Sequence, residues 1–226
     1  MNALNRKFTV ALAALTVSTG MTGCASMNNT EKGAAAGGGA GAAIGAIIGR
    51  QTGNTARGAI IGAVVGGAAG AVIGRRMDQQ AQELEQNLPA AEVERVGEGI
   101  AVTFESGVLF PYNSADVLPA GRENLRQLAT SLRNYPGTTV LIVGHTDSSG
   151  SDEYNMGLSY RRAEGARNFL ASQGIDASRV RVEGRGESEP VADNSTPAGA
   201  QQNRRVEIAI FASEEYREQI LRENRQ

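Results

Sequence analysis

The sequence predicts an α+β domain, a mixed β-sheet covered by helices on one face, with a helical glycine-rich hairpin ahead of it. Three observations carry this reading. Across residues 93–213, short apolar runs with strand alternation recur between stretches of helical periodicity. Residues 140–170, VLIVGHTDSSGSDEYNMGLSYRRAEGARNFL, join a buried strand to a helix through a polar turn. Upstream, glycine returns at every fourth position in two arms within residues 33–76.

Composition excludes several classes of function. A chain of 226 residues holds one or two domains. A net charge of −2 leaves no footprint for nucleic acid, and without tryptophan no stacking platform for bases is evident. One Cys and one His allow neither an internal disulfide nor a zinc site of several Cys and His ligands. His145 stands beside Asp147, but a catalytic triad is defined by convergent geometry and not by closeness in the chain.

The amino terminus reads as a secretory signal over residues 1–23. Arg6 and Lys7 form its charged region, and the apolar stretch from Phe8 to Val17 is too short to span a bilayer comfortably. Met21-Thr22-Gly23-Cys24 closes it. Residues 24–32 then form a short tether.

In the glycine segment, residues 33–76, Gly37, Gly41, Gly45 and Gly49 make one arm, and Gly58, Gly62, Gly66, Gly70 and Gly74 the second. In a helix this spacing lines glycine along one flat face, which allows close backbone contact between helices. Each arm is about 17 residues, roughly 25 Å as a helix, marginal for a full membrane span. Arginines at positions 50, 57, 75 and 76 flank the arms, as expected for a helical hairpin that dips into a bilayer and returns. The bland alternative is a Gly/Ala tether, since each glycine costs about 1 kcal/mol relative to alanine in a helix.

Residues 77–92 are polar and rich in Gln and Glu, and read as an exposed helix or spacer ending near Pro89. The globular domain begins at 93. Val93–Val96 and Ile100–Phe104 flank Gly97-Glu98-Gly99 as a hairpin. Val108 to Phe110 is a short apolar run. Pro119 opens a helix at a favoured first-turn position, with Leu125, Leu128, Ala129 and Leu132 on one side. Tyr135-Pro136-Gly137 stops it. After the organising strand and helix comes a strand at Val180 and Val182, a long loop from Gly184 to Asn203, and a last strand with Val206, Ile208 and Ile210 alternating. Ser213 can cap a final helix in the tail, residues 214–226, with Glu214 and Glu215 at its positive end and Arg222 and Arg225 at its negative end.

On a helical wheel, Leu158, Gly165, Ala166, Phe169 and Leu170 share one side. Arg162 falls in the middle of it and Arg161 at its edge. A guanidinium there either reaches water along its aliphatic stem or pairs with an acid. Asp147 is the best-placed acid, because it follows the carboxyl end of a strand, where ligand sites of sheets with helical crossovers gather.

These residues carry a resemblance. GHTDSSGSDEYNMGLSYRRA, together with NRRVEI at 203–208, resembles the signature of the OmpA-like peptidoglycan-binding domain shared by the OmpA, Pal and MotB families. It covers roughly the last 125 residues. The glycine arms are similar to those of glycine-zipper lipoproteins. Met-Thr-Gly-Cys24 resembles the bacterial lipobox, in which the cysteine is acylated, and Ala25 after it fits outer-membrane sorting.

The resemblance implies a ligand: the peptidoglycan stem peptide, gripped at a diaminopimelate residue that carries an ammonium and carboxylates together. Asp147 would accept from the ammonium, and Arg162 would take a carboxylate through two parallel hydrogen bonds. Thr146 and the amides after Asp147 are candidate secondary donors, since turn amides near a helix start favour anions. Asn113, Leu158 and Arg204 follow by motif. For Arg204 a solvated charge pair with Arg205 is the alternative. Pro111 departs from the Phe-Asp-Phe-Asn pattern usual before that asparagine and puts the local backbone in question. His145 is expected to shape the turn by hydrogen bonding.

The expected protein is therefore a binding lipoprotein and no enzyme, with no cofactor and no metal. It is anchored in the outer membrane by acylated Cys24, and its C-terminal domain lies in the periplasm. Homo-oligomers through the zipper are a further expectation. The competing readings are an oligomer that acts in the membrane through the zipper, and a cell-wall hydrolase or its activator.

Overall fold

The computed structural model describes residues 53–224. The signal segment, Cys24, the tether and the first glycine arm lie outside the described residues. In chain order the elements are α1 (Thr55–Gly62), α2 (Gly67–Asn87), β1 (Ala91–Val96), β2 (Gly99–Glu105), a single turn α3 (Ser106–Leu109), α4 (Pro119–Asn134), β3 (Thr138–Gly144), α5 (Asp152–Ser172), β4 (Val180–Gly184), α6 (Pro197–Asn203), β5 (Arg205–Ala212) and α7 (Glu214–Glu223). The sheet runs β1-β2-β5-β3-β4. β3 and β4 are parallel, joined through α5, and β5 lies antiparallel to both β2 and β3. The fold is α+β with a mixed sheet, as the sequence pattern predicts.

Alternation along the strands builds two apolar layers. Ile100, Val102 and Phe104 of β2, Val140 and Ile142 of β3, and Val206, Ile208 and Ile210 of β5 point to the larger layer. There they meet Leu125, Leu128 and Leu132 of α4, and Ala163, Ala166 and Leu170 of α5. Ala101, Leu141, Val143, Ala209 and Phe211 point the other way, against Ala56, Ala59, Ile60 and Ala63 of α1 and the residue after it. So helices lie on both faces. The full helical layer occupies one, and the short α1 adds cover on the second.

Local signals set the element ends. Gly97 and Glu98 make the two-residue hairpin turn between β1 and β2, with Gly97 at φ 53°. Pro119 is in the first turn of α4, Ser151 caps α5 by accepting from the Tyr154 amide, and Ser213 caps α7 by accepting from the Tyr216 amide. The expected loop between Gly184 and Asn203 contains α6. Thr196 caps it through the Gly199 amide and Pro197 begins it, a start signal that seven residues of weak periodicity concealed.

Three further expectations need correction. The segment 77–92 is not an exposed spacer. Met77, Ala81, Leu84 and Leu88 stand at i, i+4, i+7 and i+11, and each is at most 2% exposed within the main core. Four apolar residues on one helical stripe suffice to dock a helix whose other faces are Gln and Glu. The strand expected from Val93 begins at Ala91.

The second glycine arm is not one continuous helix. It breaks between α1 and α2 at Gly66 and Gly67, at φ 75° and 62°, where the chain turns round the end of the β1–β2 hairpin. The Glu98 carboxylate accepts from the Val65 and Gly66 amides, each at 2.8 Å, and fixes that turn. Among the described residues no helix is long and apolar enough to cross a membrane. Small residues let α1 lie close on the sheet, a use of the glycine pattern that needs no second zipper helix.

Met77→Ala is expected to destabilise the protein by about 2–5 kcal/mol, as for a buried apolar side chain removed from a packed core. Urea unfolding checks this. A change within about 0.5 kcal/mol, typical of an exposed position, contradicts the docking of α2.

Candidate functional site

β3 ends at Gly144, and α5 crosses directly over it. A Cβ on Gly144 would stand 2.1 Å from the Ser159 carbonyl oxygen, so this place excludes any side chain. The chain beyond is tied down residue by residue. The His145 amide donates to the Arg205 carbonyl at 2.9 Å, and the Thr146 amide to the Gly186 carbonyl at 2.9 Å. The Ser149 amide donates to Asp147 Oδ1 at 2.9 Å, and Asn155 Nδ2 donates to the Asp147 carbonyl at 3.3 Å. Asp147 is thus held just past the strand, at the lip of a hollow of about 240 Å³.

Every expected ligand-binding residue borders this hollow: Asn113, Thr146, Asp147, Leu158, Arg162 and Arg204. Their connections differ from the expected ones. The direct partner of Asp147 is Arg204, whose Nη1 makes a short ion pair with Oδ2. The solvated-pair alternative for Arg204 is thereby replaced by a structured contact. Arg162 does not bond Asp147. It is 3% exposed, its Nε donates to the Ser114 carbonyl at 3.0 Å, and its guanidinium lies 5.8 Å from the centre of the Phe110 ring. Among the described residues no acceptor meets either of its terminal nitrogens. The arginine therefore neither snorkels nor closes a pair; a backbone carbonyl anchors it and leaves its fork available.

Asn113 has φ 58° and is the one non-glycine residue with positive φ among the described residues. Asparagine tolerates that conformation better than most residues. The Ser114 amide bonds the Pro111 carbonyl at 3.2 Å, so Pro111 fits a tight turn, and Tyr154 Oη donates to Asn113 Oδ1. Leu158 supplies an apolar wall. Thr146 Oγ1 is buried without a hydrogen-bond partner.

Reading the sequence alone missed Tyr154, Asn155 and Tyr112 in this lining. Tyr154 carried a usable signal: it stands four residues before Leu158 and eight before Arg162, on the same helical face. Asn155 gave none, because its partners, the Asp147 carbonyl and Glu187 Oε2 at 2.6 Å, come from other elements.

Burial alone would raise the Asp147 carboxyl. The Arg204 hydrogen bond and the Ser149 amide outweigh it and hold the group below the usual carboxylate range. Burial lowers the Arg162 guanidinium, and nearby Arg204 adds to that, while Tyr154 and Asp147 oppose. Two guanidinia against one carboxylate give the hollow a net charge of +1, counted over Asp147, Arg162 and Arg204. It suits a ligand with one carboxylate more than it has ammonium groups.

His145 departs from expectation. Its ring is fully buried, neither nitrogen has a hydrogen-bond partner, and Nε2 is 3.9 Å from Glu207 Oε2. Burial, then the charges of Arg205 and Arg185, push it well below the usual imidazole value. The backbone amide, not the ring, shapes the turn. A larger cavity, about 480 Å³, opens between α1 and the β1–β2 edge, but its arginines are already paired, Arg57 with Glu94 and Arg205 with Glu207. Among the described residues no group of three metal-ligating side chains converges.

Fold and hollow together define a class: a domain with a polar, mixed-charge site beyond the carboxyl ends of parallel strands, covered by crossover helices. Residues 109–204 match the OmpA family and residues 4–78 match the YMGG-like Gly-zipper family, so the chain carries an OmpA-like domain behind a glycine-zipper segment. It is 44% identical to the probable lipoprotein YiaD of Escherichia coli K12 over 52% of this chain and 54% of that protein. It is 42% identical to outer membrane protein A of Bordetella avium over 50% of this chain and 58% of that protein. It is also similar to the solved cell wall anchor of the T6SS from Pseudomonas aeruginosa, at 34% identity and a TM-score of 0.54, over 59% of this chain and 97% of that one. The chain spans little more than half the length of these two curated relatives.

A carboxylate held below its unfolded value adds stability that is complete above the unfolded value, about 4, and is lost as pH falls through the folded one. Asp147→Asn is therefore expected to flatten the acid limb of the stability curve below about pH 4. Thermal melts between pH 2 and 7 measure it. An unaltered acid limb contradicts the depressed carboxyl.

Proposed function

We propose that this protein is an outer-membrane lipoprotein that holds peptidoglycan without a covalent bond and so ties the membrane to the wall. The observation that carries the reading is the meeting of Asp147, Arg162 and Arg204 at one small hollow. A diaminopimelate residue at the end of a stem peptide carries two carboxylates and one ammonium. That is one more carboxylate than ammonium, which complements a hollow of charge +1. The free fork of Arg162 takes one carboxylate in two parallel hydrogen bonds. Asp147 accepts from the ammonium while keeping Arg204, whose remaining donors reach the second carboxylate. Thr146 Oγ1, buried without a partner, gains one from the ligand, and Asn113 and Leu158 border the carbon chain.

Membrane attachment enters through Cys24, acylated after removal of residues 1–23. Each buried CH₂ contributes about 0.8 kcal/mol, so several acyl chains make a firm anchor. The names of two relatives, a probable lipoprotein and an outer membrane protein, support that side of the reading. A cell wall anchor of similar fold supports the other. In this reading the domain grips the wall and does not cut it, which the burial of His145, the chain's single histidine, supports.

Asp147→Ala and Arg162→Ala are each expected to cost about 2–5 kcal/mol in binding, as for one lost partner of a desolvated charged contact. Arg162→Lys is expected to lose most of it too, since an ammonium lacks the fork. Co-sedimentation with purified sacculi measures all three. Pelleting equal to wild type by both alanine variants would remove this function, and soluble fragments released from sacculi would replace it with a hydrolase.

A further inference from the structure

Glu189 lies in the loop between β4 and α6, and its carboxylate is buried. Three donors reach it: the amide and the hydroxyl of Thr55, the first residue of α1, and Arg185 Nε at 3.0 Å. Two of these three come from the glycine segment. A carboxylate withdrawn from water depends on such partners. The Glu189 carbonyl in turn accepts from Arg205 Nη2 at 3.1 Å, and Arg205 pairs with Glu207 at 2.7 Å. The Arg205 carbonyl takes the His145 amide, two residues before Asp147. Arg204, the preceding residue, holds Asp147 in the hollow. The contacts are contiguous from Thr55 to Asp147 and pass through the first residues of β5. Arg205 belongs to the α1 side and Arg204 to the hollow. At its far end α1 is held by Arg217, whose Nη1 donates to the Ala63 carbonyl at 2.7 Å.

We propose that α1 is a latch: docked on the sheet, it sets Arg204 and Asp147 in their binding arrangement, and ligand in the hollow holds α1 docked. Thr55 and Glu189 are then positioning residues for the site, supplied in part by the glycine segment. The inference rests on the hollow being the wall-binding site. Coupling of this kind is reciprocal by thermodynamic linkage. A bilayer or a second copy that draws the glycine segment off the sheet lowers the grip on the wall, and a gripped wall keeps the segment on the domain.

The test uses the full chain in detergent micelles and a soluble tripeptide ending in diaminopimelate as probe. Hydrogen exchange of the α1 amides, followed by mass spectrometry, is expected to slow by about 5- to 150-fold when the probe binds, the usual range of coupling between sites. Thr55→Val is expected to weaken probe binding about fivefold or more, while Thr55→Ser, which keeps the hydroxyl, restores it. Exchange of the β3 and β5 amides in the free variants is expected to match wild type, which separates a lost latch from a lost fold. If the probe binds wild type and Thr55→Val equally and leaves α1 exchange unchanged, the latch is overturned and wall binding stands. If wild type does not bind the probe, both fall.

Discussion

The pairing of Asp147 with Arg204 joins the ends of two neighbouring antiparallel strands, and both side chains line the hollow. β5 enters the middle of the sheet after the long excursion through β4 and α6, and its first residues land beside the last of β3. Without an acid at 147, Arg204 would lie half-buried beside Arg162, and two like charges would confront each other. Without Arg204, a carboxylate in a mostly buried setting would lose its main compensation for desolvation. The pair also remains open to solvent on the arginine side, with 34% of that side chain exposed, so a ligand can share the donors without dismantling the bond. A fully buried pair could not serve in this way.

Local pattern made most of the domain legible. Strand alternation in Ile100 to Phe104 and Val206 to Ile210, the capping serines 151 and 213, and Pro119 all acted through near neighbours, and such signals survive in a sequence. The site was legible in membership but not in wiring. Gly144 to Asp147 and the apolar face holding Leu158 and Arg162 announced themselves, yet the choice between Arg162 and Arg204 as partner of Asp147 depends on where β5 inserts. Strand order is a long-range property that spacing does not encode. Asn155 and Glu187 stayed invisible for the same reason. Tyr154 shares the helical face of Leu158 and Arg162, so its place in the lining follows from the same periodicity.

The glycine segment shows a different kind of ambiguity. Gly, Ala and Ile at a four-residue period permit close approach of a helix to whatever lies beneath it, and a sequence names no partner. A membrane helix, a second copy and a sheet face all accept the same small-residue stripe. What decides for residues 55–63 is polar chemistry far away in the chain. Glu189, Glu98 and Arg217 each bond to the backbone of the segment, and none of these could be assigned to it by spacing. Met77 to Leu88 illustrates the complementary trap. Its Gln and Glu content suggests solvent, while the stripe of Met77, Ala81, Leu84 and Leu88 makes it core.

Thr55 stands at the same end of the sheet as Asp147, because its partner Glu189 lies five residues beyond Gly184, the partner of Gly144. The chain coming from the expected lipid anchor therefore joins the domain at the end that carries the hollow. In the proposed tether, a load between wall and membrane would enter and leave through adjacent parts of one end: the Asp147 turn, the first residues of β5, the Glu189 loop and the start of α1. That load would not run along the strands, so the hydrogen bonds of β3 and β5 would be spared and the burden would fall on a few charged contacts. Such contacts reform quickly once released, whereas a torn core layer requires refolding. A tether that must yield and recover benefits from placing its weakest bonds at the site and its strongest packing, the layer between the sheet and α2, α4 and α5, out of the line of force.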